Sequence, residues 1–410
     1  LTGQNVTTMN AVTQTTDSSR KAPVNVPAAV LFSVSTLLLL TVFPLYAWHY
    51  DFSSAAWILF FVFLYASGIS ITGGYHRLWS HRAYEARLPL KIFYMLFGAQ
   101  ALQNSILIWS SMHRVHHKNV DHPQADPYSI KRGFWYAHMG WMLRDQPCHA
   151  LDFSNVKDLQ RDPVVMFQHR HYLGLALGTN IGLPLLCGIA VGDPWGVLLV
   201  AGLLRLVVNH HFTFLINSAA HKWGRRPYTK ENSARDNDLI ALLTYGEGYH
   251  NYHHLFSWDY RNGIRWWHID LTKWWIASWA FLGQASDLRR VPEFRIRRAM
   301  VERQFARAQA RLAQAAPTKR LDTVKRLLEQ EMEAFKVTIG EWTTLQTEKI
   351  EAARQQMVES VADHWEHSEA RRRLQHLERT LQEQYARVRL LHLQAAARGP
   401  ALFQLPANSW

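Results

Sequence analysis

Four stretches of this chain carry almost no formal charge over lengths that match the apolar core of a bilayer. Val26–Trp48 runs 23 residues without a charged side chain, and about 20 apolar residues suffice to cross hydrocarbon as a helix. It exceeds a typical leader core and has no clear small-residue cleavage site, so it is expected to be a true span. After Asp51 the chain is again uncharged over Phe52–Tyr75. Tyr172–Gly192 and Trp195–Ala220 repeat the pattern around the turn Gly192-Asp193-Pro194. The expected core is two transmembrane hairpins, with spans at about 26–48, 52–75, 172–192 and 195–220. Arg205 falls inside the last span and must face protein or a polar cavity, because an intramembrane charge is costly.

Leu88–Trp109 is apolar as well, but it carries Lys91, Gln100, Gln103 and Asn104. A crossing here would put His81 and His113 on opposite faces of the membrane, about 30 Å apart. If the histidines share a site, this segment is instead an interfacial or re-entrant helix. Downstream, Trp266, Trp267, Trp274, Trp275 and Trp279 recur at roughly helical spacing, which fits a helix at headgroup level or an aromatic core.

The pattern changes near Pro292. Leu321, Val324, Leu328, Met332, Phe335, Ile339 and Trp342 form one apolar stripe, and Leu374, Leu377, Leu381, Val388 and Leu391 a second. Pro317 and Gly399-Pro400 mark breaks. A helical hairpin or coiled coil is expected over 291–398, able to dimerise, pack on the core or dock a partner, between flexible tails at 1–25 and 399–410.

The net charge of +13 invites nucleic acid, anionic lipid or an anionic substrate. Its distribution narrows the choice. The turns at 49–54 and 192–194 contain no Lys or Arg, whereas 82–171 carries Arg82, Arg87, Lys91, Arg114, Lys118, Lys131, Arg132, Arg144, Lys157, Arg161 and Arg170. The positive-inside rule then places both termini and the histidine-bearing segments in the cytosol, and nucleic acid becomes unnecessary. Cys148 and Cys187 are too few for a disulfide framework or a cysteine metal site.

Candidate chemistry lies in three histidine clusters: His76-Arg-Leu-Trp-Ser-His81, His113-Arg-Val-His-His117 and His250-Asn-Tyr-His-His254. Positions i, i+3 and i+4 of a helix project within a narrow arc, so His113, His116 and His117 can converge on one point, and His250, His253 and His254 repeat that geometry. Neutral imidazole suits Zn, Cu, Fe and Ni. Eight histidines exceed the three or four of one tetrahedral zinc, so two metals are more economical. Beside spanning helices, the unactivated C–H bonds of acyl chains call for redox iron and O2.

These pieces resemble the acyl-CoA Δ9 (stearoyl-CoA) desaturase group of the membrane fatty-acid desaturases. The matching residues are His76–Tyr84, Ala125-Asp-Pro127, Arg132-Gly-Phe134, Asn217-Ser-Ala-Ala-His221, Gly246–His254 and Arg265-Trp-Trp-His-Ile269, the last with one extra tryptophan. The resemblance covers roughly residues 26–290. It implies an all-α integral membrane protein with four spans and a cytosolic helical cap. It also implies two iron ions (Fe2+/Fe3+) held by His76, His81, His113, His116, His117, His221, His250, His253 and His254, with Asn217 acting through a water. His221, a lone histidine after a span, comes from the resemblance alone. Asp126, Glu247 and His268 are expected to orient ligand rings, with His122 and His138 as further candidates. His210 and His211 are expected to be core or cavity-lining, and His169 and His171 to mark the membrane interface. The implied reaction is an O2-dependent cis desaturation of a long saturated acyl chain in a bent, dry tunnel. Leu64 and Gly68 are expected to line the tunnel's closed end, so that Gly68→Leu shortens the accepted chain.

One departure affects the substrate carrier. Trp109-Ser-Ser-Met112 stands where animal acyl-CoA members have an Arg-Asp pair, although Gln103, Asn104 and Arg144 match their polar contacts. CoA is favoured, with another thioester or a phospholipid left open. The chain has no haem, dinucleotide or iron–sulfur motif. A separate donor is therefore expected: a cytochrome b5-like protein, or a ferredoxin or rubredoxin with its reductase. A bacterial cytoplasmic membrane is favoured over endoplasmic reticulum. The rival chemistry is a di-iron hydroxylase of fatty acids or alkanes, which would add oxygen rather than remove hydrogen; a membrane scaffold with an inert core is a rival of another class.

Overall fold

The structure, a computed structural model, describes residues 22–314, 319–355 and 369–396. Residues 1–21, the breaks at Pro317 and Gly399-Pro400, and the tail at 399–410 lie outside them.

Four helices are long and apolar enough to cross a membrane: α1 (Val26–His49), α2 (Ser54–Ser80), α6 (Pro163–Val191) and α7 (Pro194–Lys222). Helix α1 starts where the Asn25 side chain accepts from the Ala28 N–H, and Val30, Leu37, Leu40 and Leu45 stay exposed along it. In water that face would be an aggregation hazard; in lipid it is the solvated surface. The turn between α6 and α7 uses Gly192 at φ +79, a left-handed conformation that glycine adopts without a Cβ penalty. The two short turns meet, with the Ser53 N–H donating to Asp193 Oδ2 at 3.1 Å.

Helix α3 (Leu88–Gln100) is 13 residues long, about 20 Å, too short to cross. It packs against α2 and α6 with Leu90, Tyr94, Met95 and Ala99 buried. A turn with positive φ at Leu102 and Asn104 leads to α4 (Ile106–Asn119), which carries the second cluster. Arg205 is fully buried and donates to the Gln100 carbonyl at 2.9 Å, to Asn180 Oδ1 at 2.6 Å and to the Ala201 carbonyl at 3.2 Å. Asn180 and Ala201 belong to i→i+5 hydrogen-bonded stretches of α6 and α7. Such widened turns loosen the backbone ladder, and the guanidinium supplies donors there.

The cap consists of α5 (Phe134–His138), α8 (Asp238–Leu243), α9 (His250–Leu255) and α10 (Leu271–Phe281). A two-residue antiparallel pair, β1 (Glu85–Ala86) with β2 (Ala285–Ser286), ties the end of the cap to the end of α2. On α10, Trp274 and Phe281 are exposed while Trp275 and Trp279 pack on the core, so the tryptophan run divides between surface and interior.

Beyond the cap, α11 (Glu293–Gln314), α12 (Lys319–Gln355) and α13 (Glu369–Ala396) pack on one another. Val301, Phe305 and Leu312 of α11 close over Val324, Leu328, Phe335, Ile339 and Trp342 of α12 and Leu377, Leu381, Val388 and Leu391 of α13. The two apolar stripes are thus covered within the chain by a third helix. The start of α11 also packs on the cap, Val291, Ile296 and Ala299 against Tyr228, Tyr252 and Phe256.

Candidate metal centre

The three clusters and His221 divide into two groups of inward-facing rings. The first is His76, His81, His113, His117 and His253; the second is His116, His221, His250 and His254; the ligand atoms of each lie within 4.8 Å of one another. Neither His113–His117 nor His250–His254 converges on the one point that the helical spacing had implied. Residues i and i+4 point about 40° apart on a helix, whereas i+3 and i+4 diverge by about 100°. Thus His113 and His117 face one group while His116 faces the other, and His250 and His254 share a group that His253 leaves.

His76 and His81 are five apart, which an α-helix would splay by about 140°. The last part of α2, Ser70–Ser80, is instead wound with i→i+5 hydrogen bonds, and His81 N–H bonds to the His76 carbonyl at 3.1 Å. That wider turn returns i+5 to nearly the same face. Gly73 and Gly74 allow it to press on Tyr94, where a Cβ on Gly74 would come within 2.7 Å of the ring.

Within the groups, Nε2 atoms face each other: His81 and His113 at 2.9 Å, His76 and His253 at 3.0 Å, His117 and His253 at 3.0 Å. In the second group the separations are 3.0 Å for His221 and His250, 3.1 Å for His250 and His254, and 3.3 Å for His116 and His254. Behind them, the Nδ1 atoms of His116 and His221 bond Asp126 at 2.8 Å and Ser233 at 2.7 Å, and the Glu247 carboxylate lies 3.0 Å from His76 Nδ1. A proton held at Nδ1 leaves Nε2 with a bare lone pair. Several lone pairs converging at 3 Å repel unless a cation lies between them. With imidazole–metal bonds of about 2.0–2.1 Å, ligands at right angles would be about 2.9–3.0 Å apart. The donor set therefore fits a metal in each group. Burial, and then the field of neighbouring rings, holds His81, His113, His117, His250, His253 and His254 well below the usual histidine range, so they are neutral and able to ligate.

Two arginines inside the clusters fix the frame. Arg77 is fully buried and bonds to both Glu247 and Asp270 and to the Tyr260 carbonyl. Asp270 in turn caps α10 by accepting from Lys273 N–H. Arg114 forks onto both Asp158 oxygens at 2.8 and 2.9 Å, and donates to the carbonyls of Trp79, Ser80 and Asn155. Neither role was visible from spacing, because both side chains reach partners that are distant in sequence.

A cavity of about 500 Å³ reaches both groups. His76, His113, His116 and His250 border it together with Phe32, Ile108, Met112, Phe214 and Ile216. Its size lies in the range of ligand pockets. Asn217, Gln103 and Asn104 line it, and Gln103 bridges Thr213 at 2.9 Å and the Trp109 indole N–H at 3.4 Å. His210 lines it too and bonds the Ala101 carbonyl. Ser111 is turned to the Asp152 carbonyl and Asn155, each at 2.9 Å.

Other expected positions lie elsewhere. Leu64 and Gly68 are not on the cavity wall: Tyr245 fills the space beside them, its hydroxyl on the Leu64 carbonyl at 3.0 Å. Arg144 donates to the Ala22 carbonyl at 2.6 Å, holding the chain that enters α1. His268 stacks on Tyr249. His122 accepts from the backbone of Gln124 and Ala125, and His138 bridges Ser218 and His211. His169 bonds Ser105, and His171 lies at a kink in α6.

Two groups of histidine that could each hold a metal lie at the ends of membrane-spanning helices and border one apolar cavity. The chain belongs to the fatty acid desaturase family, whose model matches residues 52–286. It is 47% identical over 247 residues to a probable acyl-CoA desaturase of Schizosaccharomyces pombe, covering 60% of this chain and 51% of that protein. It is 40% identical over 259 residues to the acyl-CoA Delta(11) desaturase of Trichoplusia ni (61% and 73% covered). To stearoyl-CoA desaturase 4 of Mus musculus it is 40% identical over 243 residues (57% and 68% covered). The chain thus spans about half the length of the fission-yeast protein.

Proposed function

We propose that the chain is an O2-dependent acyl desaturase that places a cis double bond, at Δ9, in a long saturated chain carried on CoA. The observation that carries this reading is an apolar cavity bordered by rings of both histidine groups. Two iron ions, one in each group, would supply the oxidising power for C–H cleavage. The protein's own part is positional. Asp126, Glu247 and Ser233 hold the ring protons at Nδ1, the apolar wall excludes water, and the Gln103–Thr213–Trp109 contacts shape the cavity so that one methylene pair is presented. Asn217 would reach the second group through a water. The relatives' names support acyl-CoA as carrier, and they also include a Delta(11) enzyme, so the bond position is the finer part of the proposal. Sidedness follows the Lys and Arg of 82–171, with both termini cytosolic in a bacterial membrane, and the electrons come from a separate donor.

Mass spectrometry of lipids from an expressing host, beside a His117→Ala control, tests this. Loss of two mass units from saturated chains, absent in the control, is expected; a gain of one oxygen would sink the desaturase in favour of a hydroxylase. Purified protein offered acyl-CoA and phospholipid in parallel settles the carrier.

A further inference from the structure

Each double bond made in this way converts one C–C single bond to a double bond and turns O2 into two waters. Two electrons and two protons must enter from outside. The segment 223–237, between α7 and α8, offers a short route inward. Ser233 bonds His221 at 2.7 Å. The Arg235 N–H donates to the Ala220 carbonyl at 2.7 Å, and the His250 N–H donates to the Arg235 carbonyl at 3.3 Å. Asn251, between the histidines of α9, bonds the Thr229 and Ala234 carbonyls of the same segment. The inner side of this loop is therefore bonded to the second histidine group.

Its outer side is cationic. Arg226 and Arg235 lie half-buried there, donating to the Asn232 and Gly224 carbonyls of the loop at 3.3 and 3.2 Å, and α11 carries Arg303, Arg307 and Arg311 at intervals of four residues, one helix face. Arg307 donates to the Arg226 carbonyl at 2.6 Å, joining helix and loop. Among the described residues none of these five arginines forms an ion pair. Asp238 is engaged by Arg225, Glu293 by Arg297 and Glu302 by Arg298. Asp236 accepts from the Asn251 and Tyr252 N–H groups, which leaves Glu231 as the loop's one exposed carboxylate. Burial, then repulsion from Arg226 and other members of the cluster, lowers Arg235, Arg303 and Arg307 from the usual guanidinium range. Crowded like charges without counter-ions are a site that an anionic partner would relieve.

We propose that this five-arginine surface is where an acidic one-electron carrier protein docks, two carriers per turnover each giving up one electron, through Ser233 and the Arg235 peptide, to the iron that the second histidine group would hold. This inference rests on the desaturase reading for the electron demand. A lipid headgroup would satisfy the charge, but it would not explain why the cluster lies over the loop bonded to His221 and His250.

The test uses full-length, iron-loaded protein in phosphatidylcholine nanodiscs, with reduced plant-type ferredoxin as an acidic probe oxidised in a stopped-flow instrument. For the wild type the second-order rate should fall steeply with added salt. Arg303→Glu/Arg311→Glu should slow it at least tenfold at low salt and flatten the salt dependence, while Arg303→Lys/Arg311→Lys keeps most of the rate. Arg311→Glu alone, at an exposed position, should slow it about threefold if the double variant fails to fold. Dithionite-driven desaturation should be unchanged in every folded variant. Unchanged ferredoxin rates in the Glu variants would overturn the proposal. So would a variant that loses only binding to phosphatidylglycerol vesicles, which would make the surface a lipid contact. Wild-type protein that oxidises ferredoxin yet forms no alkene would keep the dock and remove the desaturase reading.

Discussion

Arg114 stands between two ligand-type histidines, yet its side chain reaches the end of α2 at Trp79 and Ser80, and Asp158 beyond it. It fixes α4 to the residues just before His81, so that rings from two runs face each other. Arg114→Met should cost about 2–3 kcal/mol, after discount for the partial exposure of Asp158. Bound metal, iron on the proposed reading, should fall although every histidine remains, and Arg114→Lys should recover little, because a point charge cannot fork. Elemental analysis together with a thermal melt checks this; full iron content in the Met variant would refute it. Asp236 offers a pH test. Burial outweighs the two backbone N–H groups that it accepts and pushes its carboxyl up to about 7 from 3.8. The folded state holds a proton that the unfolded state has released, so this stability is present below about 3.8 and is lost as pH rises through 7. Three units correspond to roughly 4 kcal/mol at most. The depressed histidines impose the opposite slope on both proteins, so the test is the difference. The stabilisation of wild type relative to Asp236→Asn should shrink from pH 5 to pH 8, and a constant difference would refute the assignment. Eight of the nine inward-facing histidines stood out in the sequence by spacing alone. The arginines and Asp236 did not, because their roles depend on contacts between segments far apart in the chain.

At the scale of elements, the four spans were legible from length and charge, whereas the non-crossing α3 followed only from the condition that His81 and His113 share a site. The i→i+5 winding of Ser70–Ser80 was not legible, since no residue pattern announces a widened turn, yet it aligns His76 with His81. The environment of Gly68 was hidden for another reason, a contact from Tyr245 far along the chain. One turn from Leu64, Gly68 looked like the floor of a tunnel, but a Cβ there would lie 2.2 Å from the Tyr245 ring. Gly68→Leu overpacks a buried contact, which typically costs 1–3 kcal/mol and more against a rigid ring. Reduced yield and a lower melting temperature are expected, and Gly68→Ala/Tyr245→Phe should not relieve the clash, since the ring itself is the obstacle. A well-folded Gly68→Leu enzyme that merely prefers shorter acyl chains would restore the tunnel-floor assignment.

The whole molecule joins a membrane core to a three-helix bundle, and the junction decides how separable they are. The stripes of α12 and α13 were readable, but their partner α11 was not, because its apolar positions serve two surfaces. Ile296 and Ala299 face Tyr228, Tyr252 and Phe256 of the cap, while Val301, Phe305 and Leu312 face the bundle. Tyr252 lies between His250 and His253 in α9, so the first turns of α11 brace the helix that feeds both histidine groups. A chain cut after residue 290 would bare Tyr252 and Phe256 and remove Val291, which donates its N–H to Asp259. Uncovering several large side chains at about 25 cal/mol per Å² exceeds the margin of most folds. That truncation should lose iron and solubility. A cut after residue 314 keeps the brace and bares only one face of α11, so it should retain iron, though with a stronger tendency to self-associate through Val301, Phe305 and Leu312. Iron content and light scattering of the two truncations distinguish these outcomes. Equal iron in both would mean that the cap holds α9 without α11.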